Sequence, residues 1–158
     1  DSIIYEHALL EALGTGTIQV GEGAVLGDIR IASRASVTIG KRCLSSWNVF
    51  IQDYDPHPLD PALRKLQVEQ MTASFRPSFS QMKKSENTQA LKSWSFPSQD
   101  IVLGDDVWIG SNVTILKGAR IGSGSVIAAG AVVVRGLYPE RSLLAGNPAR
   151  VIREVSPS

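Results

Sequence analysis

Few side chains in this 158-residue sequence could take part in covalent chemistry, and one stands apart. His57 lies in the run HPLDPALRK, followed by Pro58 and, further on, Leu63 and Arg64. A neutral imidazole can accept a proton near neutral pH and pass it on. Asp53 and Asp55 precede it closely. They could orient the second ring nitrogen, or they could be turn residues that bond their own backbone. The other histidine, His7, reads as a surface or packing residue. Cys43 is the single cysteine and reads as a small core residue rather than a nucleophile or metal ligand. No serine or cysteine with a partner base stands out. Near the C-terminus Arg150 and Arg153 are three residues apart. Arginine suits bidentate contact with phosphate, although a solvated terminal strand could carry the pair as well.

The elements that must position these residues are read from a repeat. From Leu103 to Tyr138 six consecutive hexads each open on an aliphatic residue: Leu103, Ile109, Ile115, Ile121, Ile127 and Val133. Four residues into each of the first five comes a small or β-branched residue: Val107, Val113, Ala119, Ser125 and Ala131. A period of six is neither the 3.6 of a helix nor the 2 of a lone strand. It fits a solenoid with three flat faces, each taking one inward anchor and one inward filler before a corner. Gly104, Gly110 and Gly122 follow anchors, where a corner benefits from having no Cβ.

The repeat begins at Ile18 and continues through Val20-Gly21 and Leu26-Gly27. It slips by one residue between Ile29 and Val37, which predicts a bulged corner, and recovers at Ile39, Ser45 and Ile51. Cys43 then falls at a filler position. After Ile51 the repeat breaks at DYDPHPLD, and an excursion runs to about Gln99 before Ile101 restarts it. Asp60-Pro61 is a helix start, with an N-cap acceptor and proline in the first turn, and predicts a helix over roughly Pro61 to Thr72. Beyond it a Ser-, Lys- and Gln-rich stretch carries Phe75, Phe79, Trp94 and Phe96, aromatics that could pack the loop down or line an acceptor site. A long loop inside a compact domain is commonly functional.

Residues Ser2 to Leu13 have apolar positions three and four apart, and Gly14 and Gly16 follow, which predicts a short N-terminal helix capping the solenoid. At the other end LLAGNPARVIR predicts a tight turn and a last strand. The expected organisation is one all-β domain. A cap occupies 1–16, first coils 17–53, the loop excursion 54–100, later coils 101–138, and a terminal turn and strand 139–158.

Charge is nearly balanced at +1, so no broad electrostatic attraction to nucleic acid or membrane follows. A single cysteine fits a reducing compartment, and no signal peptide or bilayer-spanning apolar run is evident. A cytoplasmic location is the expectation.

The runs VWIGSNVTILKGARIGSGSVIAAGAVVV and AGNPARVIRE resemble the hexapeptide-repeat acetyltransferases, and among them the galactoside and maltose enzymes and their polysaccharide-modifying relatives. The resemblance spans roughly Ile18 to Glu154. It implies a left-handed parallel β-helix, although left-handed crossovers are rare by general rules. It also implies a homotrimer and acetyl-CoA as co-substrate with no metal, the acetyl group passing directly to a saccharide or other small acceptor. By position in the family motif, His57 is the implied general base, with Asp53 or Asp55 as possible orienting groups. The implied cofactor contacts are Trp108, Ser111, Ala129, Val134, Arg135, Arg150 and Arg153. One departure stands out. Galactoside-type enzymes carry an acidic residue just before the strand matching SVTIG, and here ASRAS puts Arg34 and Ala35 there. That disfavours galactoside or maltose and favours an acidic or nucleotide-linked sugar, or a polysaccharide precursor.

Three other readings remain to be weighed. A carbonic anhydrase on this fold needs three histidine ligands per zinc, and the chain has two histidines. A non-catalytic binding or structural solenoid should show outward threonine ladders and lack GNPARVIR. The C-terminal domain of a sugar nucleotidyltransferase needs a nucleotide-binding domain ahead of Asp1, where this sequence starts without a methionine.

Overall fold

The computed structural model describes residues 1–75 and 94–156. They form two compact units, one of Asp1–Tyr54 with Ser98–Ser158 and one of Asp55–Pro97.

The first unit is the solenoid. Its opening coil is β1 (Ile3–Ile4), β2 (Leu9–Ala12) and β3 (Thr17–Val20), and the next is β4 (Val25–Leu26), β5 (Ile29–Ser33) and β6 (Ser36–Ile39). A third coil takes β7 (Leu44–Ser45), β8 (Val49–Gln52) and, beyond the excursion, β9 (Ile101–Leu103). Then come β10 (Trp108–Ile109), β11 (Thr114–Leu116) and β12 (Ala119–Ile121), followed by β13 (Val126–Ile127), β14 (Val132–Val133) and β15 (Gly136–Tyr138). The chain finishes on β16 (Ser142–Gly146) and β17 (Ala149–Glu154). Every third strand shares a sheet: β1-β4-β7-β10-β13-β16-β17, β2-β5-β8-β11-β14 and β3-β6-β9-β12-β15. Pairing is parallel, except that β17 folds back antiparallel on β16. The result is a left-handed parallel β-helix of about six turns.

The hexad explains the core. Filler and anchor alternate inward along each short strand, so Val107 with Ile109, Val113 with Ile115, Ala119 with Ile121 and Ala131 with Val133 are all buried. Ser125 is a polar filler satisfied in place: its Oγ donates to Pro139 O at 3.2 Å and accepts from Ser142 N at 3.1 Å. The glycine after an anchor is there for closeness. A Cβ on Gly110 would sit 2.7 Å from Ala129 N in the next coil. Left-handed backbone comes one step later, three residues after the anchor. Asp106, Asn112, Gly118, Gly124 and Gly130 all have positive φ, six residues apart, at a position that asparagine, aspartate and glycine tolerate best. Arg42 and Asp106 share such a corner one coil apart and form a forked, exposed ion pair, both bonds at 2.7 Å. The hydrogen bond from Arg42 holds the Asp106 carboxyl below its ordinary range.

The phase slip is a corner built around a buried carboxylate. Asp53, at 0% exposure, accepts from Ser33 Oγ at 2.6 Å, Arg34 N at 2.7 Å and Ala35 N at 3.0 Å. The widened turn after β5 therefore has its amides satisfied by a side chain from the end of β8.

The N-terminal helix expected over Ser2 to Leu13 is not formed; that segment is β1 and β2. Ile3 pairs with Val25, and Leu9 with Arg30. A lone helix of that length is marginal, whereas an added coil pairs the open backbone edges of β4 and β5. His7 sits at its corner with φ 72°.

In the second unit, α1 spans Pro61–Phe75, starting where expected. Asp60 caps it, its Oδ1 accepting from Ala62 N at 2.8 Å. Asp55 N donates to Pro97 O at 2.9 Å, so this unit begins and ends in contact with itself. Trp94 and Phe96 pack edge to face at 4.7 Å. The Ser-, Lys- and Gln-rich run with Phe79 lies outside the described residues.

Candidate functional site

His57 stands on the loop leading into α1 and is exposed. Two contacts set its position. Arg64, one turn into the helix, reaches back with Nη1 to Pro58 O at 2.8 Å and Leu59 O at 3.0 Å. That gives a physical reason for the Leu-Arg that follows His-Pro: the guanidinium ties the loop to the helix. Gln67, nearly one further turn along, places Oε1 2.9 Å from His57 Nδ1. An amide oxygen only accepts, so the contact suits a ring with a proton on Nδ1. In a neutral imidazole that tautomer leaves Nε2 to act as a base.

Sequence reasoning offered Asp53 or Asp55 as possible orienting groups, or else as turn residues. For Asp53 this is corrected. Both its oxygens are taken by the corner after β5, where the burial of the carboxylate demands those donors. Asp55 is half-buried and closes the base of its unit through its backbone N. Gln67 was missed altogether.

The residues matched to the cofactor fall into three places on the solenoid. Trp108 points outward from β10, half-exposed, in register with Leu44 and Val126. That ladder continues to Leu143 and, across the antiparallel pair, to Arg153. Arg150 lies opposite Ala145. Residues three apart on a regular strand face opposite ways. Here the register shifts between Leu143 and Leu144, giving β17 one extra residue. The bulge returns Arg150 and Arg153 to the same outward face. Ser111 and Ala129 form a second place, on one corner in adjoining coils, with Gly130 N donating to Ser111 O at 2.9 Å. Val134 and Arg135 form the third, at the corner before β15.

Cys43 is buried, its Sγ 3.2 Å from Gly104 O, and burial pushes the thiol up. It is inert as a nucleophile. Among the described residues no three His, Cys, Asp or Glu side chains come together as a metal site.

Residues 100–135 match the family model for the bacterial transferase hexapeptide, six repeats. No curated protein matches the chain in sequence. Solved structures do. A hexapeptide-repeat acetyltransferase of Vibrio cholerae, solved with acetyl coenzyme A, is 27% identical with a TM-score of 0.72, over 99% of this chain and 69% of its own. A maltose O-acetyltransferase from Clostridium difficile is 25% identical with a TM-score of 0.64, over 98% and 70%. A galactoside acetyltransferase in complex with coenzyme A is 25% identical with a TM-score of 0.59, over 95% and 66%.

Proposed function

We propose that this chain, a hexapeptide-repeat acyltransferase, moves the acetyl group of acetyl-CoA to a hydroxyl or amine of a sugar, nucleotide sugar or polysaccharide precursor, with His57 as general base. The observation that carries the reading is the His57–Gln67 contact, which suits a neutral ring with its proton on Nδ1 and Nε2 as the base, on an exposed loop braced by Arg64. In the reaction Nε2 takes the proton of the acceptor hydroxyl as its oxygen attacks the thioester carbonyl. The carbon–sulfur bond breaks, and the departing CoA sulfur receives the proton back. No acyl-enzyme is needed, and the buried Cys43 is unsuited to form one.

Acetyl-CoA comes from the resemblance and from the ligands of the similar structures. Three features of this chain support it. The bulge sets two arginines side by side for a phosphate-bearing end. Trp108 lies on the same face. Ser111 and Ala129 are small residues on one corner, as backbone contact with a pantetheine arm requires. As the resemblance implies, we place the cofactor between copies in a homotrimer. The outward apolar ladder of Leu44, Trp108 and Val126 is a face suited to a second copy. No helix among the described residues is long and apolar enough to cross a membrane; a cytoplasmic site of action is part of the proposal.

The test is thiol release from acetyl-CoA against a panel of saccharides and nucleotide sugars. Release that depends on acceptor and is lost in His57→Ala supports the reading. Acceptor-dependent release that survives the substitution removes His57 from the chemistry. No release with any acceptor, and no binding of acetyl-CoA, removes the enzyme reading.

A further inference from the structure

At the corner that precedes β6, β9, β12 and β15 the first unit carries an open groove of about 390 Å³. Successive coils supply its wall: Ala35, then Gln99 and Asp100, then Gly118 and Arg120, then Arg135. Its floor is Gly118, at φ 77°, where a Cβ would lie 2.6 Å from Gln99 Oε1 and 2.9 Å from Arg135 Cγ. The missing side chain lets Gln99 and Arg135 approach each other over bare backbone. Arg120 points outward from β12, next to this floor. Its ion pair with Asp100 is loose, 3.9 Å between half-exposed groups, a distance and exposure at which such pairs contribute little. Among the described residues Arg135 forms no ion pair. The groove thus has two guanidinium groups, one weakly engaged carboxylate and a neutral amide.

We propose that this groove binds an anionic group, carboxylate or phosphate, carried by the acceptor. The proposal rests on the acetyltransferase reading and adds the acceptor's chemical class. Two guanidiniums can take a planar carboxylate or a phosphate by charge-assisted hydrogen bonds, with Asp100 released to solvent. A neutral sugar offers only weaker, uncharged bonds to the same donors. Phosphate groups also occur on acetyl-CoA, and Arg135 is among the residues matched to the cofactor, so Arg120, which that match does not include, is the residue that separates the two sources.

The experiment uses the full chain with glucuronate and glucose as a charged and a neutral probe. Affinity is measured by calorimetry, and contact by the Nε–Hε resonances of Arg120 and Arg135. Glucuronate is expected to bind about tenfold more tightly than glucose, to shift both resonances and to weaken with added salt. Arg120→Ala should erase that preference, and Asp100→Asn should strengthen glucuronate binding by removing its competitor. Both variants should leave acetyl-CoA affinity within about twofold. Equal binding of the two probes, or a preference that survives Arg120→Ala, overturns the proposal. If Arg120→Ala weakens acetyl-CoA and spares glucuronate, the anion belongs to the cofactor and the acceptor assignment is overturned. Thiol release run in parallel keeps the two readings apart. Transfer to sugars without regard to charge overturns the groove and leaves the enzyme standing, whereas glucuronate held by Arg120 with no transfer to any saccharide does the reverse.

Discussion

The chemistry proposed for His57 turns on one hydrogen bond. His57→Ala should keep acetyl-CoA binding and lower kcat by about 10² to 10⁴, the usual contribution of a positioned general base. Gln67 offers a finer test. Gln67→Glu puts a carboxylate beside the imidazole, which favours the charged ring. A protonated ring cannot accept the acceptor's proton, so the acid limb of the kcat profile should move to higher pH. An unmoved profile would make Gln67 merely a packing residue. At Asp53, Asp53→Ala should cost about 3 kcal/mol in urea unfolding, because it strands the two amides and the hydroxyl of the widened corner. That His57 leaves the repeat on a loop ahead of a helix was legible from its context. Gln67 was not, because nothing in the sequence says that its side chain turns back over the loop. Asp53 was readable but misread. It continues the inward alternation of Val49 and Ile51, and that parity, rather than nearness to His57 in sequence, decides where its carboxylate goes.

At the scale of the element, β17 owes its two-arginine face to one surplus residue. Deleting Ile152 removes that residue and leaves Arg150 and Arg153 two apart on a regular strand, still on one face. Acetyl-CoA affinity should therefore survive the deletion and fall roughly tenfold in Arg153→Ala, for one charge-assisted contact, with both measured by calorimetry against a dephospho analogue. An equal loss in the two variants would mean that strand parity alone does not set the phosphate contact. The arginines could be read from sequence, but their shared face could not, since it depends on the register with β16. The hexads were legible because no common element other than a solenoid holds a period of six, and the helix at Pro61 because its cap and proline are local signals. The N-terminal segment was misread through the opposite fault. Spacings of three and four look helical in isolation, but Ile4 and Leu10 are also six apart, and partners in the next coil decided between the two patterns.

At the scale of the whole molecule, the outward ladder on the β1-β4-β7-β10-β13-β16-β17 sheet is expected to be covered. Light scattering at micromolar concentration should give three times the chain mass, and Trp108→Glu with Val126→Glu should reduce it to one. A monomer in the unaltered protein would remove the intersubunit cofactor site. The excursion poses a different question. The bridge between Tyr54 and Ser98 and the bond from Gln99 N to Asp53 O at 2.8 Å close the solenoid backbone where the inserted residues leave and return. The prism is therefore complete without them. Replacing Asp55–Pro97 by a short Gly-Asn turn should leave the urea midpoint of the remainder nearly unchanged and abolish turnover. A collapse of stability would contradict this. The segment between Tyr54 and Ser98 is therefore exchangeable as a cassette: what it carries can change without re-registering a single coil.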